Sequence, residues 1–309
     1  QMCIRDSTKI SDIGWVPILY KRGSSRENRP WPQRIAVGRT GKIRMDADLI
    51  GNLATKTFFA VAVFIMIAWA AERAGPFTAG LLMTFPANSG AGFALIMFEQ
   101  PRTFLSSAAL VSFAMTGPIL AFMAAYVVAS RWFGFGPSLG LGLASWWIGA
   151  ALVLSYDGTV TVALASALIG VAIAVAATAI RPPASPRRDA NAATAWWPTL
   201  IRALIGGGVI ALVAFFSGAI GPTWSGLLLA FPTMMCGSAW ILSRRFGDRF
   251  AAETLARSKL SLLSYASFNL ALHYTAGPFD GPTAIGLCAV LAVIVSTGVA
   301  YSQRARRMK

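Results

Sequence analysis

The sequence predicts an all-α fold: a polytopic integral membrane protein of about nine transmembrane helices, built as two inverted four-helix repeats joined by an extra helix. Three observations lead there. Hydrophobic residues make up 56% of the chain against 13% charged, with a mean hydropathy of +0.60. Apolar runs of about 20 residues, the length that spans a hydrocarbon core, recur along it. One phrase also occurs twice, GPFTAGLLMTFP at 75–86 and GPTWSGLLLAFP at 221–232, identical at seven of twelve positions and offset by 146 residues. Such self-similarity marks an internal duplication.

Residues 1–44 read as a non-native or disordered leader. QMCIRDS resembles translated adapter sequence, and the stretch carries ten Lys/Arg against three Asp/Glu with no sustained periodicity. A start at Met45 leads directly into the first apolar run.

Apolar length and breaker residues place spans near 54–71, 77–98, 103–129, 137–155, 159–180, 199–217, 223–243, 254–275 and 282–302. The one long connection, RPPASPRRDANAATAWW at 181–197, divides the chain. The expected organisation is a first membrane unit at 45–158, a reversing helix and cytoplasmic linker at 159–198, a second unit at 199–303 and a basic tail at 304–309. With the linker and tail on one side, that side collects fifteen Lys/Arg, from Arg73 and Arg131 to Arg307 and Lys309, and the other keeps Lys56 and Arg102. The positive-inside rule makes the first side cytoplasmic.

At the offset of 146, spans 1–4 match spans 6–9 without a gap: Ser112 meets Ser258, Phe122 meets Phe268, and Gly140-Leu141 meets Gly286-Leu287. Span 5 is then the extra helix, and one added helix turns the second unit upside down. Inverted repeats around a pseudo-two-fold axis in the membrane plane are a transporter architecture, although architecture alone does not fix function.

Residues 224–274 resemble the GlpM-like small bacterial inner-membrane proteins, single four-helix units whose second span carries Gly-Leu-x-x-x-Phe-Pro-Thr, here Gly226, Leu227, Phe231, Pro232 and Thr233. In the first unit Ala87 stands in the threonine position. The resemblance implies a fused antiparallel pair in a bacterial inner membrane and carries no established substrate or reaction.

Pro86 and Pro232 each lie tenth in their spans, about 15 Å from the end and so near the bilayer midplane. Each withholds a hydrogen bond from the carbonyl four residues earlier, Leu82 or Leu228. Polar neighbours stand close in sequence: Thr84, Asn88 and Ser89 in the first copy, Thr233 and Ser238 in the second. Two readings follow. Either the broken helices line a central cavity that binds a solute, or the prolines are packing kinks satisfied internally. Span 8 adds a one-sided polar stripe, Tyr265, Asn269 and His273, with Asn269 the deeper candidate for a solute contact and His273 in a hydrated role near the outer interface. Trp146-Trp147 reads as core or cavity lining.

No Asp or Glu falls well inside a span, which argues against export coupled to a buried carboxylate. The single histidine cannot furnish a hydrolytic triad or a metal cluster, so neither an enzyme nor a cofactor is expected. Cys236 and Cys288 read as small apolar residues. The formal charge of +15 sorts as topology signals rather than a nucleic-acid face. Expected partners are the lipid bilayer and a small-molecule solute. The leading expectation is a transporter or exporter of a small neutral or amphipathic solute. The alternative is a membrane protein that scaffolds or regulates an envelope assembly.

Overall fold

Proline and glycine set most of the helix boundaries. The computed structural model describes residues 51, 54–62, 65–66, 86–156, 158–179, 197–260 and 262–307. The leader, the linker and the first copy of the repeated phrase up to residue 85 lie outside the described residues. Helical residues 54–62 form α1. Then come α2 (Ala87–Ile96), α3 (Arg102–Ala114), α4 (Thr116–Ala129), α5 (Phe135–Leu154), α6 (Val160–Ala179), α7 (Trp197–Leu229), α8 (Thr233–Phe246), α9 (Asp248–Arg257), a short 3-10 turn (Ser258–Leu260), α10 (Leu262–Thr275) and α11 (Gly281–Arg307). No strand occurs among the described residues.

Five helical stretches among the described residues are long and apolar enough to cross a membrane: Arg102–Ala129, Phe135–Leu154, Val160–Ala179, Ala203–Arg244 and Gly281–Ser302. The protein is therefore a helical bundle with the makings of a multi-pass membrane protein. The 42-residue stretch is not one straight rod. Gly221 leaves helical geometry at φ 77, ψ 174, a region glycine alone enters without strain, and Pro222 opens the next segment. The chain leaves the helix again at 230–232.

Expected span 8, 254–275, is not one helix. Gly247, at φ 86, ends α8 and starts α9 six residues earlier than expected. With Asp248 in its first turn and Arg257 in its last, α9 suits the helix dipole, and it buries only one face, through Ala251, Ala252, Leu255 and Ala256. The 14 residues of α10 reach only about 21 Å.

Element starts keep step along the chain. Ala87 and Thr233, Arg102 and Asp248, Thr116 and Leu262, and Phe135 and Gly281 all begin helices and all stand 146 residues apart. Packing follows the same correspondence: α4 lies on α5 and α10 on α11, α3 on α10 and α9 on α4, α2 on α11 and α8 on α5. Three apolar cores form among the described residues: one centres on Phe93, Ile96, Leu105, Leu229, Phe268 and Leu272, a second on Phe122, Met123, Trp146, Leu227 and Leu262, and a smaller one on Leu110, Phe113, Ala114 and Ala163. Helix α6 has no counterpart in this scheme and packs on α4 and α3.

Polar contacts gather at the bundle's two ends. At one end, Lys56 Nζ donates to Glu99 Oε2 at 2.6 Å and to the Ala214 carbonyl at 3.4 Å, and lies 5.5 Å from the Phe215 ring centre. Gln100 Nε2 donates to Ser217 Oγ at 3.3 Å beside them. At the other end, an Arg131 guanidinium nitrogen donates to the Ala177 carbonyl at 3.1 Å, and Lys259 Nζ to Thr178 Oγ1 at 2.6 Å. Asp248 accepts there from the Phe135 amide at 3.0 Å and from the Ser243 hydroxyl.

Candidate functional site

The Phe231-Pro232 break is built as a proline demands. Helix α7 closes with the Ala230 amide donating to the Gly226 carbonyl (3.2 Å) and the Leu227 carbonyl (3.0 Å), and the Phe231 amide to the Leu228 carbonyl at 3.1 Å. Pro232, lacking an N–H, takes φ −76, ψ 45 and caps α8, its carbonyl accepting from the Cys236 amide at 3.0 Å. Pro86 repeats this at φ −73, ψ 62, capping α2, with its carbonyl accepting from the Gly90 amide at 2.7 Å. Both prolines are buried. The Leu228 carbonyl expected to be freed is thus taken by the turn itself. The Leu82 carbonyl lies outside the described residues.

The two breaks come together. A Cβ on Gly92, six residues after Pro86, would lie 2.3 Å from the Leu229 side chain, three residues before Pro232. One on Gly226 would lie 2.3 Å from the Ala108 carbonyl oxygen of α3. Only glycine lets the final turns of α7 lie this close to α2 and α3.

Polar groups converge where the helices cross. Ser112 Oγ donates to the Gly226 carbonyl at 2.8 Å, and the Tyr265 hydroxyl donates to the Ser112 carbonyl at 2.9 Å. Ser89 adjoins the Tyr265 hydroxyl, is fully buried, and has no well-aligned hydrogen bond among the described residues. Asn269, also fully buried, donates through Nδ2 to the Tyr265 carbonyl at 2.8 Å, while its Oδ1 has no partner among the described residues. A buried acceptor left unanswered costs about 1–3 kcal/mol, which makes Asn269 Oδ1 the candidate polar group of this region.

Of the residues singled out from sequence, Ser89, three residues after Pro86, stands at the Tyr265 hydroxyl, while Asn269 bonds the Tyr265 backbone carbonyl one turn back in its own helix. Thr233 and Ser238 lie half-buried on α8, each already engaged in an interaction of its own. Asn88 belongs to α2, and its side chain lies outside the described residues. The α10 stripe faces α3 as a run of contacts. His273 is not simply hydrated: Ser106 Oγ donates to the His273 carbonyl at 2.8 Å, and His273 Nδ1 lies 3.0 Å from both the Ser106 hydroxyl and the Ser106 carbonyl. Trp146 is fully buried, edge-on to Phe231 at 5.1 Å between ring centres, whereas Trp147 is 48% exposed and lines nothing internal.

Ser106, Ser112 and the Trp146–Phe231 contact are missed by reading for function. Ser112 appears in the sequence only as a match to Ser258, and single serines in an apolar run carry no signal until the helix they face is known. Among the described residues no three His, Cys, Asp or Glu side chains are grouped to hold a metal ion, and Cys236 and Cys288 are free thiols. Comparison with protein-family models, with curated proteins and with solved structures finds no match for this chain.

Proposed function

We propose that the protein is a transporter of a small neutral or amphipathic solute in a bacterial inner membrane, with a cytoplasmic C-terminus. In this reading two inverted GlpM-like four-helix units, joined by α6 as the reversing helix, make nine spans and rock about the crossing of their broken helices. The carrying observation is that crossing: two buried prolines of matching conformation, 146 residues apart, where the closing turns of α7 lie against α2 and α3. Helix starts in step and reciprocal packing support the inversion.

Replacing Pro86 or Pro232 with alanine supplies a helix donor where the chain now turns. Each variant is expected to stay folded, with a melting temperature within a few degrees of the parent, while solute movement falls at least about tenfold. Asn88→Leu is expected to act in the same direction. Melting in detergent and uptake or resistance across a solute panel are measured on the same three variants. Stable variants with an unchanged phenotype would sink the transport reading. The alternative, a scaffold or regulator of an envelope assembly, is favoured by the Leu228 carbonyl being satisfied within its own turn. It predicts that stability falls first and phenotype follows in proportion.

A further inference from the structure

Helices α5 and α6 and the turn joining them carry no Lys or Arg, yet the last turn of α6 meets two cations brought by other elements. Arg131, just past α4, donates from a guanidinium nitrogen to the Ala177 carbonyl at 3.1 Å, and Lys259, in the turn before α10, donates through Nζ to Thr178 Oγ1 at 2.6 Å. The two acceptors sit on adjacent residues, about 5 Å apart at most by covalent geometry, so the two nitrogens lie within about 11 Å of each other. Each contact uses one donor of several, since an ammonium has three and a guanidinium five. Both side chains are half-buried, and among the described residues neither meets a carboxylate or a second acceptor. Asp248 at the same end is taken by the Phe135 amide and the Ser243 hydroxyl. Next to the cations the surface is apolar: α6 leaves Leu168, Ile169, Ile173 and Val175 exposed, and Trp132 and Phe133 stand exposed straight after Arg131.

We propose that this end of α6 binds the headgroup of an anionic phospholipid, with Arg131 and Lys259 on its phosphodiester and its acyl chains along the exposed side of α6. The site goes beyond the transport reading and stands whether or not a solute is moved. Three arguments fix the chemistry. The first is charge: the C-terminal end of a helix offers about half a negative charge, so capping α6 leaves roughly one and a half of the two positive charges unanswered. A net-anionic headgroup answers them, whereas phosphatidylcholine brings a cation of its own. The second is depth: the 20 residues of α6 reach about 30 Å, the thickness of the hydrocarbon layer, which puts Ala177 and Thr178 at headgroup level with the exposed Trp132 as an interfacial anchor. The third is reach: a guanidinium fork pairs two phosphate oxygens side by side, and the flexible lysine closes on the same group from across the gap.

The test uses the full chain in nanodiscs of dioleoyl phosphatidylcholine with and without dioleoyl phosphatidylglycerol, so that the chains are matched. Phosphatidylglycerol is expected to raise the melting temperature by about 5 °C, the rise shrinking in high salt. Arg131→Gln and Lys259→Gln should each remove about half of that rise, and the double variant all of it. A full rise in the double variant would mean that the two cations only cap α6, and would overturn the proposal. Arg249→Gln deletes an exposed cation of α9 that bonds neither Ala177 nor Thr178, and should leave the rise whole. A loss there equal to that of Lys259→Gln would mean diffuse attraction to a charged surface, which also overturns it. Inorganic phosphate and glycerophosphoglycerol, added to the phosphatidylcholine discs, separate a lipid from a soluble anion: neither should reproduce the rise, and a full rise from either would sink the lipid assignment. If the glutamine variants do not fold, the parent decides. Phosphatidylglycerol with brominated chains should quench tryptophan fluorescence more than brominated phosphatidylcholine at equal fraction, with the excess lost in Trp132→Leu. Equal quenching by the two lipids would count against the site.

Discussion

Residues 102–129 and 248–275 each divide into two helices whose starts stand 146 residues apart, yet the first region is the buried centre of the bundle and the second opens with an amphipathic helix and leaves large apolar side chains at the surface. The difference in burial goes with α6. A Cβ on Gly117 would lie 2.3 Å from the Ser166 carbonyl oxygen of α6, and one on Gly170 would lie 2.6 Å from the Gly117 Cα. Ser166 Oγ closes the contact by donating to the Ala114 carbonyl at 2.8 Å. At the matching position of the second region stands Leu263, 47% exposed. A covering helix demands a small residue where it crosses, and the copy without a cover keeps a large apolar side chain for the surface.

The strongest way to break this comparison is to exchange the two residues. Gly117→Leu forces a branched side chain into α6 backbone and is expected to destabilise by about 3 kcal/mol, seen as a large fall in melting temperature or as loss of folded protein. Leu263→Gly removes an exposed side chain and is expected to cost only about 1 kcal/mol, the helix propensity of glycine. Equal effects would mean that α6 does not constrain the first region.

A second contrast concerns how α5 and α11 are capped. Asp280 accepts from the Thr283 amide at 3.2 Å and so caps its own helix, α11. The matching residue before α5 is Gly134, and the Phe135 amide is instead met by Asp248 from the start of α9. Because Asp248 also holds Ser243, Asp248→Ala loosens three helix ends and is expected to cost about 2 kcal/mol by thermal or denaturant unfolding. A loss no larger than that of Asp280→Ala would count against the long-range cap.

The smallest effect is one of pH. Hydrogen bonds from Thr283, side chain first and then amide, hold the exposed Asp280 carboxyl below its ordinary value. A depressed acid contributes stability above its unfolded pKa and loses it as pH falls through the folded one, so the contribution should fade from about pH 5 downward. Asp280→Asn is expected to flatten the acid side of the melting-temperature profile by a small amount. A steeper acid loss in the variant would reverse the assignment.

How much of this is legible in the sequence depends on the range of the physics. Pro232 breaks its helix because proline lacks a donor, a property carried by one residue. The ends of α5 and α6 fall within two residues of expectation because apolar length is counted locally. Helix α9 is invisible to the same test: a short amphipathic helix has no apolar run, so 248–257 reads as part loop and part span. The one-sided stripe of α10 is legible as periodicity. What it faces is not, since Ser106 and Ser112 lie 167 and 153 residues from their partners. The Lys56–Glu99 pair, likewise, is not legible: Lys56 reads from sequence as a topology signal, and its partner lies 43 residues on. Asn269 meets Tyr265 at the four-residue spacing that the stripe already shows, whereas Ser89 reaches that tyrosine only through packing.

The lower end of α6 is held twice. Along its length this helix lies against α3 and α4 of the first unit, but at its foot Arg131 of that unit bonds Ala177, and Lys259 from the other unit bonds Thr178 one residue on. An ammonium on a four-carbon stem can swivel about a hydroxyl without letting go, which a forked guanidinium does less readily. On the transport reading proposed above, Lys259 would serve as a fulcrum, one unit tipping against the other with α6 as a lever of about 30 Å and displacements growing with distance from the foot. The far end would swing furthest, so the contacts between units there, Lys56 with the Ala214 carbonyl and Gln100 with Ser217, are the ones such a motion must break first, while the Lys56–Glu99 pair travels within its own unit.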